Sequence, residues 1–168
     1  MSRSKFLFAI VFFLSFGQAW AEGTNDPTGI WLTQAGDAKI RISHCSTTLC
    51  GTIVWLKVPV NSATGKPQVD DKNANPALAK RPIIGINIFK AMKAVANNKW
   101  SGAIYNADDG NSYSSDVIVA GPKKLEVRGC VMGILCGGET WTKVGDVTVA
   151  DAADLVVPAL SRAHNHQY

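Results

Sequence analysis

The stretch Ala38–Val58, "AKIRISHCSTTLCGTIVWLKV", decides the fold. In its first half apolar side chains alternate with polar ones, as in Ile40-Arg41-Ile42. A period of two with one polar face is typical of a half-buried antiparallel strand. The second half, from Gly51, is rich in β-branched and aromatic residues and predicts a second strand. A short polar segment joins the two halves, so the stretch predicts a hairpin.

Similar patterns recur along the chain. "GIWLT", "KLEVRGC" and "GETWTKV" read as strands, and the residues around the turn Asp108-Asp109-Gly110 read as another hairpin. Residues 69–82 form a polar connection. In residues 83–98 apolar side chains such as Ile84, Ile88 and Met92 keep helical spacing, which predicts a short strand or turn and then about two helical turns from Ile88.

Seven or eight short strands with turns between them predict an all-β protein. The architecture we expect is a small antiparallel meander β-barrel, lipocalin-like, with one short helix or turn between strands. A two-sheet sandwich is the alternative.

The N-terminus carries the parts of a secretory signal peptide. Arg3 and Lys5 give a positive start, an apolar run covers residues 6–16, and Ala19-Trp20-Ala21 is a small-x-small cleavage signal. The run is short, because a helix needs about 20 apolar residues to span a bilayer. We predict a signal peptide over residues 1–21, a leader over 22–27, a barrel domain over 28–145 and a C-terminal tail over 146–168.

This organisation places the mature protein in the periplasm or outside the cell, with no transmembrane segment. Its formal charge falls from +4 to +2, because Arg3 and Lys5 leave with the signal. Basic residues are scattered, with no tract longer than Lys123-Lys124. A nucleic-acid partner is therefore not expected. The oligomeric state does not follow from these features.

Four cysteines remain after the signal, and in an oxidising compartment they should pair. Four cysteines allow three connectivities. We favour the local one, Cys45 with Cys50 and Cys130 with Cys136, because each pair flanks a segment that can turn. Each disulfide would then begin a tryptophan-bearing strand. The spacings do not match the short Cys-x-x-Cys pairs of zinc sites, so no metal is expected.

The order of several motifs resembles a known family. They are "GIW" (29–31), "CGTIVWL" (50–56), "DDKNANP" (70–76), "RPIIG" (81–85), "WSGAIYNADDGNSY" (100–113) and "LEVRGCVMGILCGGETWTK" (125–143). Together they are similar to the exported bacterial proteins called domain of unknown function 2147. The resemblance implies a lipocalin-like barrel, export and binding of a hydrophobic molecule, and it implies no reaction. "GIW" also resembles the opening of lipocalins.

The polar loop from residue 70 has the alternating oxygen side chains of a calcium loop, at Asp71, Asn73 and Asn75. A calcium loop needs glycine at its sixth place and glutamate at its twelfth, where this chain has Pro76 and Pro82. We expect no cation here. The prediction is instead structural: Asp71 and Asn73 cap turns, and Asp71 pairs with Arg81 to pin the loop.

No catalytic residues are predicted. His44 adjoins a cysteine on a strand, His164 and His166 lie near the C-terminus, and no nucleophile or phosphate-loop motif is present. The aromatic residues are the remaining constellation, and the predicted ligand-binding residues are Trp31, Trp55, Trp100, Tyr105 and Trp141. On a regular strand Trp55 shares a face with Ile53, and Trp141 shares one with Glu139 and Lys143.

The leading hypothesis is a non-enzymatic exported barrel that binds a small hydrophobic or amphipathic envelope molecule and needs no cofactor. The alternative is a structural or interaction module of the cell envelope whose barrel is filled by its own side chains. An enzyme with a carboxylate pair at the barrel mouth is a third class, which no sequence feature supports.

Overall fold

Each strand of the protein pairs with the next one along the chain, and the last pairs with the first. The computed structural model describes residues 25–131 and 135–146. The eight strands within these ranges are β1 (Gly29–Leu32), β2 (Ala38–Cys45), β3 (Thr48–Leu56), β4 (Phe89–Ala96), β5 (Lys99–Asn106), β6 (Asn111–Gly121), β7 (Lys124–Val131) and β8 (Leu135–Gly145). The predicted signal peptide, and the tail beyond Asp146, lie outside the described residues.

Antiparallel pairing of β8 with β1 closes the sheet into a barrel. The prediction of an all-β meander barrel is therefore confirmed, and the sandwich alternative is wrong. The alternation read from β2 is also correct, since Ile40 and Ile42 are buried while their neighbours are partly exposed. No helix occurs among the described residues. The described part of the chain therefore contains no helix that is long and apolar enough to cross a membrane.

The helical turns predicted from Ile88 are wrong, because this segment is strand β4. It pairs with β3 on one side and β5 on the other, with a register shift between Lys90 and Lys93. Ala91 lies within this bulge at a φ of 49°. The extra residue puts Phe89 and Met92 on the same inner face although they are three apart. Apolar residues three apart are also typical of a helix, which is why the sequence pattern predicted helical turns here.

Connections alternate between the two ends of a meander. The mouth end, as we name it, carries residues 33–37, 57–88 and 107–110 and the β7–β8 hairpin. The closed end carries the turns β2–β3, β4–β5 and β6–β7. Its interior is packed with large side chains that are at most 2% exposed: Trp31, Ile42, Leu49, Met92 and Leu125. The Trp31 indole also donates to the Pro27 carbonyl at 2.8 Å.

The two predicted local cysteine pairs lie at disulfide distance. Cys45 and Cys50 flank the β2–β3 turn, with their Cα atoms 5.7 Å apart. Cys130 and Cys136 face each other across the β7–β8 ladder, with Cα atoms 4.0 Å apart. We call the first the closed-end disulfide and the second the mouth-end disulfide. Loop entropy gives each ring about 2 kcal/mol of stabilisation.

Candidate functional site

A cavity of about 760 Å³ opens at the mouth end of the barrel. Known small-molecule sites measure roughly 300–1,000 Å³ and are mostly apolar. The inner wall of this cavity is apolar as well, and is formed by Ile40, Ile53, Ile88, Ile104, Val127 and Trp141. The barrel is therefore packed at its closed end and hollow at its mouth end.

The strand register places a row of small residues across the mouth half of the barrel. Four directly paired positions on the inner face of β5 to β8 carry no large side chain: Gly102, Ser115, Gly129 and Gly137. We call these positions the small-residue row. The next row toward the closed end carries Trp100, Val117, Val127 and Glu139. Of the four, Gly129 lines the cavity, and its missing side chain leaves part of the interior of an eight-stranded barrel unfilled.

The cavity carries most of its charge at the rim. Five of its charged lining residues are exposed: Asp37, Lys57, Asp71, Lys72 and Asp108. Glu139 is the exception, being partly buried beside Trp141. The Trp141 indole N–H donates to its Oε1 at 2.5 Å, and the indole stacks on Phe89 with ring centroids 6.4 Å apart.

The long β3–β4 connection forms one side of the mouth and is pinned by a buried carboxylate. Asp70, which is fully buried, accepts hydrogen bonds from the Tyr105 hydroxyl at 2.5 Å and from Asn73 Nδ2 at 2.9 Å. The Arg81 guanidinium reaches Asp70 Oδ2 through Nε at 2.9 Å and a terminal nitrogen at 2.8 Å. This network ties the connection to strand β5.

The predicted pairing of Asp71 with Arg81 is wrong, and Arg81 pairs with Asp70 instead. Asp71 is exposed, and its carboxylate lies 3.9 Å from the neighbouring Lys72 ammonium. The two aspartates are adjacent, so their side chains point in different directions, and Asp70 is the one that contacts Tyr105 of β5. Asn73 and Arg81, which were also predicted to pin the loop, do contact the network.

The network also fixes protonation states. Burial by itself raises the pKa of Asp70, but hydrogen bonds from Tyr105, Asn73 and Arg81 outweigh it and hold that pKa below the usual 3.8. Burial and the neighbouring carboxylate raise the pKa of Tyr105 above its usual 10.0. At neutral pH Asp70 is thus ionised, and Tyr105 keeps the proton that it donates.

A glycine allows the β5–β6 turn to contact the β3–β4 connection. Gly110 has a φ of 76°, and a Cβ at this position would lie 2.0 Å from the Lys72 carbonyl oxygen. Any other residue would have to displace the backbone at Lys72. Gly110 therefore keeps two connections of the mouth end in contact.

The predicted ligand-binding aromatics fall into three groups. Tyr105 and Trp141 line the cavity. Trp31 and Trp100 are buried in the core outside the cavity lining. Trp55 is 38% exposed on the outside of the barrel, where the Lys39 ammonium lies 4.8 Å from its ring centroid.

A bulge explains the position of Trp55. Lys39 pairs with Trp55 and the next residue, Ile40, pairs with Ile53, so Val54 is an extra residue in β3. The extra residue reverses the alternation beyond it. Ile53 therefore points inward and Trp55 outward, contrary to the expectation that they share a face.

Three features of the site were not predicted from the sequence: the buried carboxylate of Asp70, the position of the Glu139 carboxylate in the cavity, and the small-residue row. Asp70 opens the quoted "DDKNANP" motif, and Glu139 was noted only as a neighbour of Trp141. Among the described residues no group of three or more His, Cys, Asp or Glu side chains is arranged to hold a metal. His44 is exposed and lies 3.3 Å from Asp26, while His164 and His166 lie outside the described ranges.

Comparison with known proteins agrees with this geometry. The model of a family described as "Uncharacterized protein conserved in bacteria (DUF2147)" matches residues 29–143. The chain is also similar to a solved structure described as "Protein HP1028 from the human pathogen Helicobacter pylori belongs to the lipocalin family". The TM-score is 0.60 at 19% identity, over 77% of this chain and 88% of that chain. Likeness at this identity shows the fold alone. No match was found among curated proteins.

Proposed function

The chain belongs to the bacterial DUF2147 family, and from that premise we propose that it is an exported, non-enzymatic binding protein. Its ligand is one small hydrophobic or amphipathic molecule of the cell envelope, held in the mouth half of the barrel. No cofactor takes part.

The observation that carries the proposal is the division of the barrel into a packed half and a hollow half. A barrel that served only as a structural module could fill its interior along its whole length, as eight-stranded barrels commonly do. Here about 760 Å³ remains open beside an isoleucine-rich wall, with Gly129 among the lining residues. Removing apolar ligand surface from water against such a wall is favourable, at about 25 cal/mol per Å².

The two disulfides support the location. Disulfides form and persist in oxidising compartments, and both pairs here lie at bonding distance. The N-terminal pattern of a positive start, an apolar run and Ala19-Trp20-Ala21 agrees with export. The family is bacterial, so the periplasm is the compartment that we propose.

A titration with the neutral apolar probe N-phenyl-1-naphthylamine tests the proposal. Its fluorescence should rise on saturable binding at one site per chain, and envelope lipids should displace it. The same titration on the urea-unfolded protein is the control for nonspecific adsorption. A linear rise without saturation, or no rise at all, would favour the alternative of a module without a ligand.

A further inference from the structure

One carboxylate lies inside the apolar part of the cavity. Glu139 is on the inner face of β8, directly opposite the buried Val127 and two residues before the buried Trp141. Among the described charged residues that line the cavity, it is the one that is not exposed. A charge beside apolar walls is unfavourable unless it is paired, so its presence requires an explanation.

Contacts within the protein satisfy only part of the hydrogen-bonding capacity of this carboxylate. Its Oε1 accepts the Trp141 indole N–H. A carboxylate has two oxygens and about four acceptor positions, and no other hydrogen bond reaches Glu139 from the described residues. A neutral amide oxygen would satisfy an indole N–H equally well. The negative charge of Glu139 is therefore not needed for packing.

The surroundings of Glu139 favour a cation as its partner. Glu139 lines the cavity together with Gly129 of the neighbouring strand, so the hollow part of the barrel lies beside it. The exposed rim adds three carboxylates and two ammonium groups, which leaves the charged lining acidic as a whole. Like charges in a confined site oppose an anionic ligand, and opposite charges favour a cationic one.

We propose that Glu139 is a ligand-contacting residue that binds the positively charged amine head of an amphiphile. The apolar chain of that amphiphile contacts the wall formed by Ile40, Ile53, Ile88 and Ile104. This assignment rests on the proposed function, because it requires a ligand in the cavity, and it adds the chemical class of that ligand.

Three probes with the same twelve-carbon chain test the assignment: dodecylamine, dodecanol and dodecanoate. Each is used at neutral pH, below its micelle concentration, to displace N-phenyl-1-naphthylamine. The proteins are the wild type, Glu139→Gln and the control Glu126→Gln. The amide of Glu139→Gln keeps an oxygen for the Trp141 indole and loses only the charge. Glu126 lies on the adjacent strand β7 and contacts the exposed Arg128 at 2.9 Å.

We expect the wild type to bind dodecylamine about tenfold more tightly than dodecanol, and dodecanoate most weakly, because a charged partner strengthens a hydrogen bond. In Glu139→Gln the preference for the amine should disappear while the affinity for dodecanol is unchanged. Glu126→Gln should rank the probes like the wild type. Unchanged tryptophan emission and melting temperature would show that Glu139→Gln preserves the indole contact.

Equal affinity of the wild type for the amine and the alcohol, or tightest binding of dodecanoate, would overturn this inference and leave the proposed function intact. Retention of the amine preference in Glu139→Gln would do the same. If neither the three probes nor the neutral dye binds at all, both this inference and the proposed function are wrong. The wild-type ranking decides the question even if the Glu139→Gln variant does not fold.

Discussion

Filling the space beside Gly129 should weaken ligand binding about a hundredfold without unfolding the barrel. Gly129 lines the cavity, and a Cβ at this position would lie 3.8 Å from the Tyr113 Cβ, an ordinary contact distance. Gly129→Leu therefore places a side chain in the hollow without a backbone clash. The variant tests whether this space, rather than the outer surface, holds the ligand.

The magnitude follows from the cavity volume. At about 30 Å³ per water-sized group, 760 Å³ corresponds to about 25 groups, so a ligand of about 20 non-hydrogen atoms can enter. At about 0.3 kcal/mol per atom its binding free energy is about 6 kcal/mol, or a Kd of tens of micromolar. Four leucine carbons displace about four ligand carbons. At about 0.8 kcal/mol each this costs about 3 kcal/mol, or about a hundredfold in Kd.

The thermal stability of Gly129→Leu should not fall with its ligand affinity. Replacing a strand glycine removes an unfavourable term of about 0.5–1 kcal/mol, and burying leucine adds about 1.5–3 kcal/mol before its entropy cost. The melting temperature should therefore stay constant or rise by a few degrees.

Probe titration by fluorescence and thermal melting by circular dichroism are the assays. Ser114→Leu is the matched control, because Ser114 is exposed on the outer face of β6. We expect the control to bind like the wild type. Wild-type affinity in Gly129→Leu would refute the reasoning, since the ligand would then lie elsewhere.

Three further predictions concern the pinning network, the disulfides and the reporter tryptophan. Asp70→Asn should lower the free energy of unfolding by about 2–3 kcal/mol in urea titrations at pH 7, because it leaves the Arg81 charge without its buried partner. Asp71 is exposed, so Asp71→Asn should leave the free energy of unfolding nearly unchanged. The pKa of Asp70 is lowered by folding, so its stabilisation is present above the usual 3.8 and is lost as the pH falls below that value. The difference between Asp70→Asn and the wild type should therefore shrink on acidification, and a difference that does not shrink would contradict the assignment. Replacing both cysteines of either disulfide by serine should cost about 2 kcal/mol in thermal unfolding, but only loss of the mouth-end disulfide should weaken probe binding in calorimetry. A ligand-induced change in tryptophan emission should vanish in Trp141→Phe and persist in Trp55→Phe; the reverse result would place the ligand on the outer surface.

The strands and the hairpins between consecutive strands follow from the sequence because their physics is local. Ile40 and Ile42 alternate with polar residues, and the Asp108-Asp109-Gly110 turn joins two such segments. The cysteine pairs follow as well, since each flanks a segment that can reverse the chain. Local pattern and turn chemistry are sufficient for these features.

Where the sequence reasoning failed, the cause was a feature that depends on a neighbouring strand. The bulge at Val54 moved Trp55 to the outside, and the bulge at Ala91 gave β4 its helix-like spacing. Neither bulge has a local signature, because an extra residue is defined only by the register of the partner strand.

The site depends on register for the same reason. Gly129 and Gly137 are eight positions apart and face each other only in the folded hairpin, where Gly129 lines the cavity. Which of two adjacent aspartates is buried likewise depends on the position of Tyr105 in a distant strand, since Tyr105 donates its hydroxyl to Asp70. Long-range pairing therefore determined what local patterns could not.

Native mass spectrometry of the protein, purified gently from the bacterium that makes it, shows directly whether the hollow half of the barrel holds a ligand. We expect one noncovalent adduct per chain, which organic solvent extracts as an apolar or amphipathic molecule. Gly129→Leu purified in parallel should lack the adduct, while Ser114→Leu should retain it. Bare protein in every sample, or an adduct equally abundant on Gly129→Leu, would contradict the account.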